Sequence, residues 1–257
     1  MKKIIFICFI SMMFVNTSFA RLLTDSINVL FVGNTYTCYH RLPWLVQGIA
    51  HSNGIPMAVK VIECNDGTLK GHATNEETIN TIKQGIWDYV VLQEESEETS
   101  KERKSVMKNV YPYAQQLDSI RRVYNPNGET VFYMTWGDYT AAYPVLQKRQ
   151  EETYQEMAQR FRASCAPVGL AWKQYFQENH SGLLHDDDKC HPNLRGSYLA
   201  ANVFFTTFFG KPYQSDFTAG LPEEDAIYLQ ELAQKVVFEG IDGWRKKETP
   251  NVTQVSE

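Results

Sequence analysis

Short apolar runs alternate with helical segments along almost the whole chain, and this alternation constrains the fold more than any other feature of the sequence. The predicted strands cover residues 28–33, 57–63, 87–93, 130–136 and 166–169. The predicted helices cover residues 42–50, 75–85, 101–123, 145–163, 170–177, 192–209 and 223–238. Alternating strands and helices form a parallel sheet with helices on both faces. Since no internal repeat or linker interrupts the pattern, the sequence predicts one doubly wound α/β domain.

The first twenty residues have the form of a secretory signal peptide. Lys2 and Lys3 precede an apolar run over residues 4–15, and small residues follow it up to Ala20. We therefore expect export to the periplasm or the medium, with a domain over residues 21–245 and a polar tail over 246–257. Later apolar runs are too short to span a bilayer, so we expect no membrane contact after cleavage.

Charge and cysteine pattern exclude several classes of partner and site. The chain of 257 residues has a formal net charge of −5 and no basic cluster, which argues against nucleic acid as a partner. Beyond the leader, Cys38, Cys64, Cys165 and Cys190 include no Cys-x-x-Cys pair, so a zinc-ribbon or thioredoxin-like site is not indicated. For Cys64 and Cys165, buried thiols on strands are an alternative to disulfides.

Polar clusters follow the predicted strands, where ligands of such sheets bind. They lie at residues 33–37, 65–68, 93–96 and 136–138, and a fifth cluster covers the late loop 185–192. The sequence lacks the Gly-x-Gly-x-x-Gly and Walker motifs of nucleotide sites, and it lacks His-Glu-x-x-His and Gly-x-Ser-x-Gly. A dinucleotide cofactor is therefore not expected.

Thr35 after the first strand and Asp188-x-x-His191 in the late loop are the chemically informative residues. A hydroxyl becomes a nucleophile beside a base, and that base needs a third group to orient it. Other interpretations stay open at this point. Thr35 could cap a helix, residues 186–188 could be a solvated acidic loop or bind a cation with His185 and His191, and Gly67 could be a turn glycine.

Residues 33–37, Gly67, residues 87–93 and Asp188-x-x-His191-Pro192, in this order, resemble the SGNH (GDSL-like) hydrolases. The similarity spans about residues 27–210 and is strongest to a secreted bacterial branch with a Gly-Asn-Ser/Thr-Tyr-Thr opening motif. It implies a flavodoxin-like three-layer α/β/α sandwich with a parallel sheet. It also implies an esterase that needs no cofactor or metal and acts on small-molecule or carbohydrate esters.

The resemblance also implies roles for individual residues. Thr35 would be the nucleophile where the family has serine, His191 the base, and Asp188 its orienting carboxylate. The start of a helix at Pro192 would place His191 at the positive helix end.

The oxyanion and substrate would be bound by a second set of groups. The oxyanion donors would be the backbone N–H groups of Thr35 and Gly67 and the amide of Gln93, which replaces the family's asparagine. Asn34 and His72 would line the same cleft. Gln93 could instead satisfy backbone groups at a strand end.

Two further interpretations follow from the same residues. Tyr36 and Trp136 could form a sugar-stacking platform or be packing residues. If Thr35 and His191 meet, Cys38 and Cys190 approach one another and could form a disulfide.

Two functions fit this pattern. The first is an exported ester hydrolase with threonine in place of serine, which cleaves O-acyl groups, including those on carbohydrate. The second is a catalytically inactive carbohydrate-binding protein of the same fold, because the threonine methyl group restricts χ1 and crowds the approach of the acyl carbon.

Overall fold

A computed structural model describes residues 26–63, 67–137, 143–178 and 183–240, together with Trp244. The leader, Cys64 and the polar tail lie outside these residues. The strands are β1 Ile27–Gly33, β2 Met57–Glu63, β3 Tyr89–Leu92, β4 Glu129–Tyr133 and β5 Ser164–Ala166. They form one parallel sheet in the order β2-β1-β3-β4-β5, so the chain reverses its direction of travel across the sheet between β1 and β3.

The helices lie between the strands and after the last one. They are α1 Thr35–Cys38, α2 Leu42–Ser52, α3 Leu69–Thr74, α4 Glu76–Ile82, α5 Ser96–Ser100, α6 Arg103–Asn109, α7 Tyr111–Tyr124, α8 Tyr143–Phe161, α9 Val168–Gln177, α10 Leu194–Phe209 and α11 Glu223–Glu239. Within the described ranges, none of them is both long and apolar enough to cross a membrane. The sheet and its helices confirm the predicted flavodoxin-like α/β/α fold.

Alternate residues of the strands supply two separate cores. In β1, Val29 and Phe31 join a cluster with Phe204 of α10, while Leu30 and Val32 join a cluster on the opposite face with Met157 of α8. Successive side chains of a strand point to opposite faces, so a strand buried on both sides must be apolar throughout. This explains why the strands appear in the sequence as continuous apolar runs.

The helix predicted over residues 101–123 is wrong in its extent. Two helices, α6 and α7, occupy this stretch, and they meet at Val110, whose φ and ψ are −114° and −56°. Pro112 lies in the first turn of α7 and has no backbone N–H to bond to the preceding turn. The amphipathic pattern continues across the break, so periodicity alone did not reveal it.

Candidate active site

The turn after β1 presents the hydroxyl of Thr35 at the reversal point of the sheet. Asn34 has extended backbone angles (φ −119°, ψ −157°), and its Oδ1 accepts a hydrogen bond from Tyr36 N. Asn34 is therefore the cap of α1, and the alternative in which Thr35 caps a helix is wrong. Thr35 is the first residue of α1 and is exposed.

The loop before α10 holds an imidazole in a defined orientation. Asp188 Oδ2 lies 2.6 Å from His191 Nδ1, and Asp188 Oδ1 accepts the backbone N–H groups of Cys190 and His191, each at 2.9 Å. The backbone N–H of Cys190 and then the His191 side chain lower the pKa of Asp188 to about 2. The ionised carboxylate favours the tautomer in which Nδ1 donates and Nε2 is left as an acceptor.

The structure brings Thr35, His191 and Asp188 together, although they come from opposite ends of the chain. Thr35 Oγ1 lies 3.2 Å from His191 Nε2, so hydroxyl, imidazole and carboxylate form a continuous hydrogen-bonded series. This is the arrangement that activates a hydroxyl for nucleophilic attack.

Aromatic rings support the imidazole from two sides. Tyr39 stacks on His191 with ring centroids 4.5 Å apart, and Tyr36 meets the same ring edge-on at 5.4 Å. Tyr36 in turn stacks on Trp136, whose Nε1 donates to the carbonyl of Cys190 at 3.0 Å. Tyr39 was missed from the sequence, because an aromatic residue four positions after a hydroxyl does not by itself indicate a contact with a distant histidine.

Two backbone N–H groups lie close to Asn34, the residue before Thr35. Gly67 has φ +64°, and a Cβ atom there would lie 2.9 Å from Asn34 Cβ, so the glycine is needed for the close approach of the two loops. Among the described residues, the N–H groups of Thr35 and Gly67 make no hydrogen bond. The Asn34 side chain, whose Oδ1 is occupied by Tyr36 N, lies beside Gly67.

Comparisons with known proteins give a fold-level relationship. No family model matches the sequence, and no curated protein matches it. Among solved structures, a DUF4886 family protein from Bacteroides uniformis is similar with a TM-score of 0.66 and 16% identity, covering 83% of this chain and 95% of that one. A candidate SGNH hydrolase from Slackia heliotrinireducens has a TM-score of 0.58 and 20% identity, covering 72% and 100%. The chain has the SGNH hydrolase fold.

A variant of an acetyl xylan esterase from Geobacillus stearothermophilus is also similar. Its TM-score is 0.53 at 14% identity, and the match covers 75% of this chain and 100% of that one. The SGNH fold predicted from the residue pattern is thus confirmed by structures of low sequence identity.

Gln93 does not have the oxyanion role that the sequence predicted for it. Its side chain is fully buried, with Oε1 accepting from Asn34 N (3.0 Å) and Thr37 Oγ1 (2.7 Å) and Nε2 donating to the Glu94 carbonyl (3.0 Å). Gly33 makes room for it, since a Cβ there would lie 2.5 Å from Gln93 Oε1. The interpretation in which Gln93 satisfies groups at a strand end is correct, and its effect in this SGNH fold is to hold the Thr35 turn.

His72 also does not line a cleft. The ring is fully buried, with Nε2 2.9 Å from the Gly33 carbonyl and Nδ1 3.1 Å from Thr78 Oγ1. The His72 ring therefore contacts the last residue of β1 from inside the fold. Tyr36 and Trp136 are likewise buried, at 4% and 0% exposure, so the sugar-stacking platform is wrong and the packing interpretation is right.

The start of α10 differs from the expectation for Pro192. Asn193 caps this helix by accepting from Gly196 N, and Pro192 instead pairs with His185 in an isolated antiparallel bridge. His191 therefore lies two residues before the cap rather than at the first helical turn, where the dipole effect is concentrated. The orientation of its ring depends on Asp188 and the aromatic contacts.

The three cysteines within the described ranges are free thiols. No disulfide joins Cys38 to Cys190, and Cys190 Sγ lies 2.7 Å from Tyr36 Oη instead. Burial, followed by the Glu63 carboxylate, raises the pKa of Cys38 to about 12. Cys165 is a buried thiol on β5, as one interpretation predicted. Over the described ranges, no group of three or more His, Cys, Asp or Glu side chains is placed to hold a metal ion.

Proposed function

We propose that this protein is an exported ester hydrolase that removes acyl groups, including O-acyl groups on carbohydrate, with Thr35 as its nucleophile. The observation that carries the proposal is the series Thr35 Oγ1–His191 Nε2 (3.2 Å) and His191 Nδ1–Asp188 Oδ2 (2.6 Å). The names of two structures with this fold, an acetyl xylan esterase and a lipase/acylhydrolase from Enterococcus faecalis, support ester substrates. The form of residues 1–20 supports export.

The proposed reaction uses the same three side chains. His191 Nε2 accepts the Thr35 proton as Oγ1 bonds to the acyl carbon, and the carbonyl π electrons move to the oxygen. The N–H groups of Thr35 and Gly67 stabilise this oxyanion. The carbon–alkoxy bond then breaks, and His191 returns the proton to the leaving alcohol. Water, deprotonated by the same imidazole, attacks the threonyl ester and releases the carboxylic acid, which restores the Thr35 hydroxyl.

Threonine can support this reaction because its hydroxyl is already aligned with the base. The γ-methyl group restricts χ1, which limits the orientations that Oγ1 samples during attack. We therefore expect Thr35→Ser to retain or increase the turnover number and Thr35→Ala to lower it by about 10³-fold or more.

The test is hydrolysis of p-nitrophenyl acetate by the chain without residues 1–20. Wild type, Thr35→Ser, Thr35→Ala and His191→Ala are compared at equal folded concentration. Thr74→Ala serves as a matched control, since Thr74 is an exposed helical threonine that bonds only to carbonyls of its own helix. If wild type and Thr35→Ala hydrolyse the ester equally, the proposal is wrong, and gain of activity in Thr35→Ser would then favour a binding protein.

A further inference from the structure

The side chain of Glu94, just after β3, contacts the first residue of α3. Glu94 directly follows Gln93 and is 1% exposed. Its carboxyl oxygens lie 3.2 and 3.3 Å from Leu69 N, and Oε1 also accepts from Glu95 N at 2.8 Å. Leu69 is the first residue of α3, and N–H groups in a first helical turn have no partner within their own helix.

We propose that Glu94 is a positioning residue that fixes the Gly67 N–H in the oxyanion site, a proposal that rests on the proposed function. Gly67 lies two residues before Leu69, and Thr68 between them caps α3 through its hydroxyl. A carboxyl group bonded to Leu69 N therefore restrains the segment that carries the Gly67 N–H.

Gln93 and Glu94 directly follow β3, and they bond to the two segments that carry the Thr35 and Gly67 N–H groups. Gln93 holds Asn34 N, next to the Thr35 N–H, and Glu94 holds Leu69 N, close to the Gly67 N–H. β3 pairs with β1 on one side and β4 on the other, so it is a rigid reference for both loops. Displacing a reacting or stabilising group by about 1 Å costs on the order of 10²-fold in rate.

The Glu94 carboxyl can be replaced by side chains that either keep or remove its acceptor oxygen. Burial raises the pKa of Glu94 to about 8, so the carboxyl is mostly uncharged at neutral pH. Glutamine presents the same acceptor oxygen at the same position without a charge. Methionine has a similar length and no comparable acceptor.

The test compares Glu94→Met and Glu94→Gln on p-nitrophenyl acetate and on its thionoester, in which sulfur replaces the carbonyl oxygen. We expect Glu94→Met to lower kcat by about 10–10²-fold with KM nearly unchanged, and to reduce the preference for the oxygen ester, because sulfur accepts oxyanion hydrogen bonds weakly. Glu94→Gln should stay within about threefold of wild type in both quantities.

A matched control distinguishes the positioning of the Gly67 N–H from a general loss of stability. Gln230→Met removes a buried amide that bonds Ser215 N and O and Tyr198 Oη between α10 and α11, and none of these partners belongs to residues 67–69 or 93–94. It should lower the melting temperature without changing the oxygen–sulfur preference. If Glu94→Met keeps both kcat and that preference, or if Glu94→Gln falls as far as Glu94→Met, the proposal is overturned.

Amide hydrogen exchange tests the positioning independently of turnover. Exchange over residues 67–69 should be about tenfold faster in Glu94→Met than in wild type and nearly unchanged in Glu94→Gln. Should Glu94→Met not fold, Glu94→Leu removes the acceptor with a second apolar side chain, and the same kinetic result is expected. Unchanged exchange would overturn the positioning of Gly67, whereas hydrolysis retained by Thr35→Ala would overturn only the proposed function.

Discussion

Replacing Trp136 by phenylalanine tests whether the aromatic residues behind the imidazole set its position. Trp136 is fully buried between Tyr36, at a centroid distance of 4.9 Å, and Trp172, at 3.6 Å. Its Nε1 donates to the carbonyl of Cys190, the residue before His191. Phenylalanine keeps an aromatic ring in this position but loses the N–H donor and part of the stacked area.

The magnitude follows from these contacts. A carbonyl left without its partner away from solvent costs about 1–3 kcal/mol, and each weakened aromatic contact costs about 0.5–1.5 kcal/mol. With one carbonyl and two aromatic contacts affected, the free energy of unfolding should fall by about 2–6 kcal/mol, which lowers the melting temperature by roughly 4–24 °C in a domain of this size. Because the freed carbonyl adjoins His191, kcat should fall by about tenfold.

Trp87→Phe is the matched control. Trp87 is also buried, and its Nε1 donates to the Thr81 carbonyl at 2.7 Å, but it lies in the core on the other face of the sheet. Thermal unfolding and p-nitrophenyl acetate kinetics at 25 °C are measured for both variants. We expect a loss of stability in both variants, smaller in Trp87→Phe because its loss is mainly the hydrogen bond to the Thr81 carbonyl, and a loss of kcat only in Trp136→Phe. Equal kcat values in the two variants would refute the reasoning.

Three further predictions concern single carboxyl groups. Asp188→Asn should lower kcat by about 10²–10⁴-fold with little change in melting temperature, because the exposed side chain mainly orients His191; kcat within threefold of wild type would contradict this. Glu94 has a pKa of about 8 against an ordinary 4.5, so the native state holds an extra proton between these values and the free energy of unfolding falls as pH rises from about 5 to 8. Glu94→Gln should reduce that slope, measured by thermal unfolding at both pH values, and an unchanged slope would show another group is responsible. Asp118→Asn should destabilise the fold by about 3–5 kcal/mol in a denaturant titration, because it leaves the buried guanidinium of Arg121 uncompensated; a loss below 1 kcal/mol would contradict this.

The parts of the fold that could be predicted are those in which local pattern and burial agree. Strands covered on both faces must be apolar throughout, so β1 and β3 are visible in the sequence. The break between α6 and α7 was hidden because an amphipathic pattern persists on either side of Pro112. The six-residue helix α3 was missed because it is too short for a periodic signal, and only the Thr68 cap marks it.

In the site, residue types were easier to predict than side-chain directions. Thr35, Asp188 and His191 lie at a strand end or in a tight loop, where sequence spacing limits their positions. Gln93 and His72 have the same polar character, but each turns inward to satisfy backbone or hydroxyl groups of another element. Those partners are distant in the sequence, so only the tertiary structure determines which way the polar atoms point.

The hydroxyl of Thr35 and the imidazole of His191 are separated by 156 positions in the chain. During synthesis the hydroxyl of Thr35 therefore emerges long before His191, and a chain made only as far as residue 190 lacks the proposed base. Closing so large a loop is among the costly, slow steps of folding. Recovery of hydrolysis after dilution from denaturant would consequently report the final docking of the loop before α10, while circular dichroism would register the earlier growth of helices.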